Sequence, residues 1–300
     1  MAAPQAIDPE ILPRLDPEYV AFHNKYVAHL VPPHSLPWDP AIRKGDTVPG
    51  SAEVLSVGSV QDYHLSHCKV RVFTPEGTPP PDGWPAYVWY HGGGWTLGNI
   101  SSENAFCSRL CKGAKCVVAS PDYLEDSFET LQWVFDQGKS LLGVDPTRLA
   151  VGGSSAGGNL AAIISMKAAE LKPLPIRLKL AQLIVPVTDN TALHTDDRYP
   201  SWKENANTVW LNTGRMLWFL RRTEWDNSPI FAPDELLAKS PKTWIAVMEL
   251  DILRDEGLAY GERLKKVGVP VSHKQGNVLS VGRELVSDAV ENLAEAFGTL

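Results

Sequence analysis

The stretch Ala150-Val151-Gly152-Gly153-Ser154-Ser155-Ala156-Gly157-Gly158-Asn159 decides how this chain is read. A short β-type run, Arg148 to Val151, leads into it, and an alanine-rich helical pattern, Ser155 to Glu170, leads out, so the glycine-serine cluster falls on a strand-to-helix turn. Within it, Gly153-x-Ser155-x-Gly157 has the pattern of a nucleophile elbow. The two glycines leave room for a crowded bend that lifts the Ser155 hydroxyl, and the start of the helix supplies backbone N–H groups and a positive dipole end. Without that context the turn is only a close-packed glycine corner.

Outward from this turn the chain keeps alternating. Upstream, β-branched runs at Val54 to Val60 and Cys68 to Phe73 predict an antiparallel pair, followed by a strand at Pro85 to Tyr90, a helix at Ser101 to Cys111, a strand at Lys115 to Ser120 and a helix at Asp126 to Gly138. Downstream come a strand at Leu178 to Val187, one at Thr243 to Glu249, a helix at Asp255 to Lys266, a strand at Val269 to His273 and a helix at Arg283 to Phe297. Strands alternating with helices predict an α/β fold: a mostly parallel central sheet with helices on both faces. Residues 188–240 break the rhythm and carry Trp202, Trp210, Trp218 and Trp225, which predicts a helical cap inserted in the core formed by 51–187 and 241–300. Residues 1–50, rich in proline with one helical stretch at Pro17 to Leu30, are expected to form a lid arm.

Composition narrows the function. The 300 residues are 44% hydrophobic and 21% charged, in the range of a folded globular chain. With 28 basic against 35 acidic side chains the net charge is −7, which leaves no cationic excess for a phosphate backbone, so no nucleic-acid partner is expected. No apolar run approaches the ~18–20 residues of a membrane span, and the N-terminal residues have no secretory pattern, so a cytoplasmic location is expected. Cys107, Cys111 and Cys116 cluster without a histidine at zinc spacing; they read as structural thiols, with no metal and no cofactor expected.

A second motif, His91-Gly92-Gly93-Gly94-Trp95, follows the strand ending at Tyr90. Three glycines there let main-chain N–H groups face a developing oxyanion, and Gly92, Gly93 and Ala156 are the expected donors. A phosphate-cradling loop needs a Gly-Lys-Ser/Thr ending or a Gly-x-Gly-x-x-Gly entry, and neither is present. His91 is expected to brace the loop.

Together, His91-Gly-Gly-Gly-Trp95 and Gly152-Gly-Ser-Ser-Ala-Gly-Gly-Asn159 resemble the hormone-sensitive-lipase-like branch of the α/β-hydrolases, in particular its fungal esterases. The segment Glu249-Leu-Asp251-Ile-Leu-Arg-Asp255-Glu-Gly257 matches the place where that family keeps its triad acid. The resemblance implies Ser155 as nucleophile and Asp251 as orienting acid, with Asp255 the better helix-capping carboxylate. It also implies a small-molecule ester as substrate. The family's histidine, normally in a loop after the last strand, is missing: Gln275-Gly-Asn-Val-Leu-Ser-Val-Gly282 contains none. His273, expected in mid-strand and buried, and His194, in the cap, are weak substitutes. The chain is also shortened relative to the family after Asp122-Tyr123-Leu124-Glu125-Asp126 and around Trp218 to Trp225. The expectation is a serine carboxylic ester hydrolase scaffold for small acyl esters, impaired for want of a base. The alternative is a ligand-binding protein on the same fold, as in plant gibberellin receptors. Sheet edges of this kind leave a homodimer open.

Overall fold

A computed structural model describes residues 5–37, 39, 41–42, 53–122, 127–172, 174–220, 228–276 and 280–300. The strands are β1 (Ser59–His64), β2 (Lys69–Thr74), β3 (Trp84–Tyr90), β4 (Val117–Pro121), β5 (Val144–Ser154), β6 (Leu178–Ile184), β7 (Thr243–Met248) and β8 (Val271–Gly276). They form one sheet in the order β1-β2-β4-β3-β5-β6-β7-β8. The pairs β1/β2 and β2/β4 are antiparallel, and the pairs from β4 through β8 are parallel.

Helices are α1 (Pro17–Tyr26), α2 (Asn104–Ala114), α3 (Ser127–Leu142), α4 (Ala156–Lys167), α5 (Ser201–Glu204), α6 (Thr213–Leu220), α7 (Asp234–Leu237), α8 (Arg254–Lys266) and α9 (Ser280–Phe297). A two-residue alternation sorts the core into layers. On β3, Val88 and Tyr90 join Val134 of α3, Ala161 and Ile164 of α4 and Leu264 of α8. Tyr87 and Trp89 point the other way and meet Cys107, Leu110 and Cys111 of α2 and Leu293 and Phe297 of α9. Burial on both faces is why β3, β5, β6 and β7 read as apolar runs. Each fully buried large side chain contributes about 1.5–3 kcal/mol relative to exposure.

The edges depart from the sequence expectation. The first strand begins at Ser59, not Val54, because the turn bond from Leu65 N–H to the Cys68 carbonyl sets the register and an outer strand tolerates Gln61 and Asp62. At the other edge, β8 runs on to Gly276, and α9 starts at Ser280. The cap segment between β6 and β7 holds α5, α6 and α7. Trp202 is fully buried in it, Trp210 is exposed, and Trp225 lies outside the described residues. In the N-terminal arm, Ile11, Leu15 and Tyr19 pack on Leu250 just beyond β7, with Val209 of the cap alongside. No described helix is long and apolar enough to cross a membrane.

Candidate active site

Ser155 stands between β5 and α4 with φ 53° and ψ −117°, a conformation that costs a side-chain-bearing residue about 1–3 kcal/mol. Its flanking glycines are sterically required. A Cβ on Gly153 would lie 2.2 Å from the Gly157 carbonyl oxygen, and one on Gly157 would lie 2.0 Å from that of Tyr90. The bend is fixed from β6 and the segment after it as well: Ser155 N–H donates to the Ile184 carbonyl at 2.8 Å, and Asn159 Nδ2 donates to the Val187 carbonyl at 2.8 Å.

The glycine loop lies directly against this bend. A Cβ on Gly92 would sit 2.9 Å from Ser154 Oγ and 3.6 Å from Ser155 Cβ. His91 is buried; its Nδ1 is 2.7 Å from the Gly92 carbonyl oxygen and its Nε2 3.3 Å from that of Asp122. With both ring nitrogens facing carbonyls, His91 braces the loop and has no lone pair aimed at Ser155. The Gly93 carbonyl accepts from Thr96 and Leu97 N–H at 3.1 and 2.8 Å.

One expected oxyanion donor is corrected by this geometry. The Gly92 N–H is committed to Glu103 Oε1 at 3.2 Å, so it is not free for a substrate oxygen. In a trans peptide the N–H points opposite to the C=O. Anchoring the Gly92 and Gly93 carbonyls therefore turns the amides of Gly93 and Gly94 the other way. Among the described residues, the amides of Gly93, Gly94 and Ala156 meet no acceptor; that of Ala156 is the first of α4, where helical N–H groups are unsatisfied. No local sequence pattern marks Glu103 as the partner of the Gly92 N–H, because it comes from the residue preceding α2, a separate element of the chain.

Asp251 follows β7 and so occupies the same sheet edge as Ser155, two strands along. Its Oδ1 accepts from Leu253 N–H at 2.9 Å. Burial pushes its carboxyl up to about 6, against the opposing effects of that bond and of Arg254. The loop is held from the cap: Asn205 Nδ2 donates to the carbonyls of Glu249 and Asp251, and Thr208 Oγ1 to that of Leu250. Asp255 does not cap α8. It accepts from Ser201 N–H at 2.7 Å and pairs with Arg254, tying α8 to α5.

All eight histidines lie among the described residues, and no hydrogen bond joins one of them to Ser155 or Asp251. His273 is mid-strand, opposite Ile245, but exposed rather than buried, because β8 is an edge. A Cβ on Gly261 would lie 2.6 Å from its ring, and its Nε2 is 3.8 Å from Glu262, which sets it against α8. His194 is exposed on the cap. Gly276, the last residue of β8, accepts from Glu249 N–H at 2.9 Å, so the connection to α9 leaves beside the acid loop. Its residues Asn277, Val278 and Leu279, like Tyr123 to Asp126 in the other shortened segment, lie outside the described residues.

Two further buried carboxylates were given no role by the sequence. Glu256 of α8 accepts from the N–H groups of Thr188 and Asp189 and from Trp202 Nε1, at 2.7, 3.3 and 3.0 Å, and burial pushes it up to about 8. Asp189 is fully buried and takes bonds from Arg198 and Tyr199. Glu256 anchors the cap to the core, and the Asp189 carboxylate organises the cap internally.

Similarity to known proteins agrees with this architecture. The chain is 37% identical over 332 aligned positions to the AB hydrolase superfamily protein C1039.03 of Schizosaccharomyces pombe, covering 97% of this chain and 96% of that one. The alignment is longer than the 300 residues here, so that relative carries segments this chain lacks. Esterase LipI of Mycobacterium tuberculosis is 33% identical, over 71% of this chain and 69% of its own. A solved thermostable esterase from Pseudomonas putida superposes with TM-score 0.79 at 26% identity, covering 94% of this chain and 98% of that one. The family model for the alpha/beta hydrolase fold matches residues 87–279, which include the glycine loop, the Ser155 bend and the acid loop. The chain belongs to the alpha/beta hydrolases, in their hormone-sensitive-lipase-like branch.

Proposed function

We propose that the protein is a serine carboxylic ester hydrolase for small acyl esters, with Ser155 as nucleophile, the amides of Gly93, Gly94 and Ala156 as oxyanion donors, and Asp251 as the acid of the site. The observation that carries this reading is the left-handed Ser155 bend at the head of α4 in contact with the glycine loop. Attack by a serine on an acyl carbon places negative charge on the carbonyl oxygen. Amides that meet no other acceptor among the described residues and face that oxygen would stabilise it without reorganising, and each such donor is worth about 3–4 kcal/mol. No metal or cofactor has a part in this chemistry.

Turnover is expected to be low. Without an imidazole to take its proton, the Ser155 hydroxyl is a weak nucleophile, and loss of the base from a serine triad lowers kcat by on the order of 10⁶. The test is hydrolysis of p-nitrophenyl acetate and butyrate by the native chain and by Ser155→Ala. The expected result is a slow, saturable activity that the substitution abolishes; equal rates for the two proteins remove the esterase reading.

A second reading is favoured by the absence, among the described residues, of a hydrogen bond from any histidine to Ser155 or Asp251: a small-ligand-binding protein on the same scaffold. It predicts saturable binding of an acyl ester or carboxylic acid with no product released, measurable by calorimetry and mass spectrometry of the recovered ligand.

A further inference from the structure

We infer that Glu103 is a positioning residue that aims the oxyanion amides at Ser155; the inference rests on the reading of Ser155 as the nucleophile. Its carboxylate gathers donors from three segments. Gly92 N–H and Ser154 Oγ donate to Oε1 at 3.2 and 2.9 Å, and Trp89 Nε1 donates to Oε2 at 2.5 Å. Trp89 lies near the end of β3, Gly92 opens the glycine loop, and Ser154 immediately precedes the nucleophile.

The arrangement solves a problem set by the glycines themselves. Three consecutive residues without side chains have wide backbone freedom, whereas an oxyanion site is effective only if its donors are oriented before the charge appears. Here the Gly92 N–H is held by Glu103, the Gly92 carbonyl by His91 and the Gly93 carbonyl by Thr96 and Leu97. The two intervening peptide planes are thereby set. Of these constraints, Glu103 alone also reaches across to the elbow, through Ser154, so it fixes the loop relative to the nucleophile and not merely to itself. Its support is rigid: Glu103 immediately precedes α2, and the Trp89 ring packs on Phe106 of α2 at 4.5 Å between centroids.

Chemistry distinguishes this from simple packing. Glu103→Gln keeps size and shape but has one acceptor oxygen. If that oxygen serves Gly92 and Ser154, the amide NH₂ confronts the Trp89 N–H; in the flipped orientation it confronts Gly92. A double variant, E103Q/W89F, removes the indole donor and with it the conflict. For E103Q we expect kcat on p-nitrophenyl butyrate to fall about 30-fold with KM changed less than about threefold, because the lost effect is felt in the transition state. We expect the double variant to recover about tenfold of the loss despite its smaller ring, the non-additivity of groups sharing one network. Hydrogen exchange of the peptide spanning 91–97 should accelerate about tenfold in E103Q, while peptides from β5 and α4 keep native protection.

Native kcat and unchanged loop exchange in E103Q overturn the inference, as does a loss of kcat that tracks a fall in Tm and is not recovered by W89F. Should Ser155→Ala hydrolyse as fast as the native chain, the esterase reading fails instead, and the exchange of 91–97 alone decides whether Glu103 orders the loop.

Discussion

The bend at Ser155 and the loop at Asp251 leave the same edge of the sheet, yet they are held in different ways. Around Ser155 the backbone is fixed by steric exclusion at Gly153 and Gly157, by bonds to β6, and by the glycine loop with its own braces at His91 and Glu103. Around Asp251 the backbone carbonyls are tied to the cap, but among the described residues the carboxylate itself receives a single protein bond, from Leu253. The Ser155 side, proposed to carry the nucleophile, is built from contacts between neighbouring strands. The Asp251 side, proposed to carry the acid, borders a connection, β8 to α9, formed by residues 277–279.

The strongest way to break this contrast is to complete the weak side. A longer, histidine-bearing connection between Gly276 and Ser280 should raise kcat by about 10²- to 10⁴-fold, the contribution of a positioned general base. A folded variant with unchanged kcat would show that the nucleophile side, not the base, limits turnover. Damage to the strong side should instead appear as lost stability. In Gly157→Ala the new methyl meets the Tyr90 backbone oxygen, and urea unfolding should show a loss above about 3 kcal/mol; a loss under 1 kcal/mol would mean the bend is not sterically locked.

Asp251 supplies a subtler test through pH. Its folded-state value of about 6 lies above its ordinary 3.8, so between those values the folded chain binds more protons than the unfolded one. Stability therefore falls as pH rises from about 4 to 6. Asp251→Asn keeps the acceptor for Leu253, should remove that decline, and should raise stability at pH 7 by roughly 2 kcal/mol. Glu256, pushed from 4.5 to about 8, produces a second decline that this variant leaves in place. A pH profile identical to the native one would refute the assigned environment of Asp251. The smallest effect is expected at the bend itself: Ser155→Gly relieves its positive φ and should stabilise by about 1 kcal/mol, while an unchanged or lower Tm would count against stored strain.

How much of this was readable in advance depended on where each residue's environment comes from. Strands β3, β5, β6 and β7 announced themselves because both faces are buried and the apolar run is the signal. The edge strands β1 and β8 were misplaced by several residues: Gln61, Asp62 and Lys274 sit on strands that need no apolar pattern, and their pairing is set by turns and by neighbours distant in sequence. Exposure of His273 was missed for the same reason. The strand-to-helix bend at Ser155 was readable from its local glycine pattern, and the position of Asp251 just after β7 followed from the resemblance. The oxyanion assignment failed at Gly92 because the direction of an amide is set by what it bonds, and that partner comes from the head of another helix. Glu256 gave no local signal, since its donors come from the cap.

The cysteines have a practical consequence. Cys107, Cys111 and Cys116 are sealed between α2, α9 and one side of the sheet, with burial pushing the Cys111 thiol up to about 12, whereas Cys68 belongs to the opposite layer. A thiol that is neither ionised nor accessible reacts with alkylating reagents only when its surroundings separate. The native chain thus contains its own pair of reporters, and the order in which the two sets become labelled in mild denaturant would reveal which side of the molecule comes apart first.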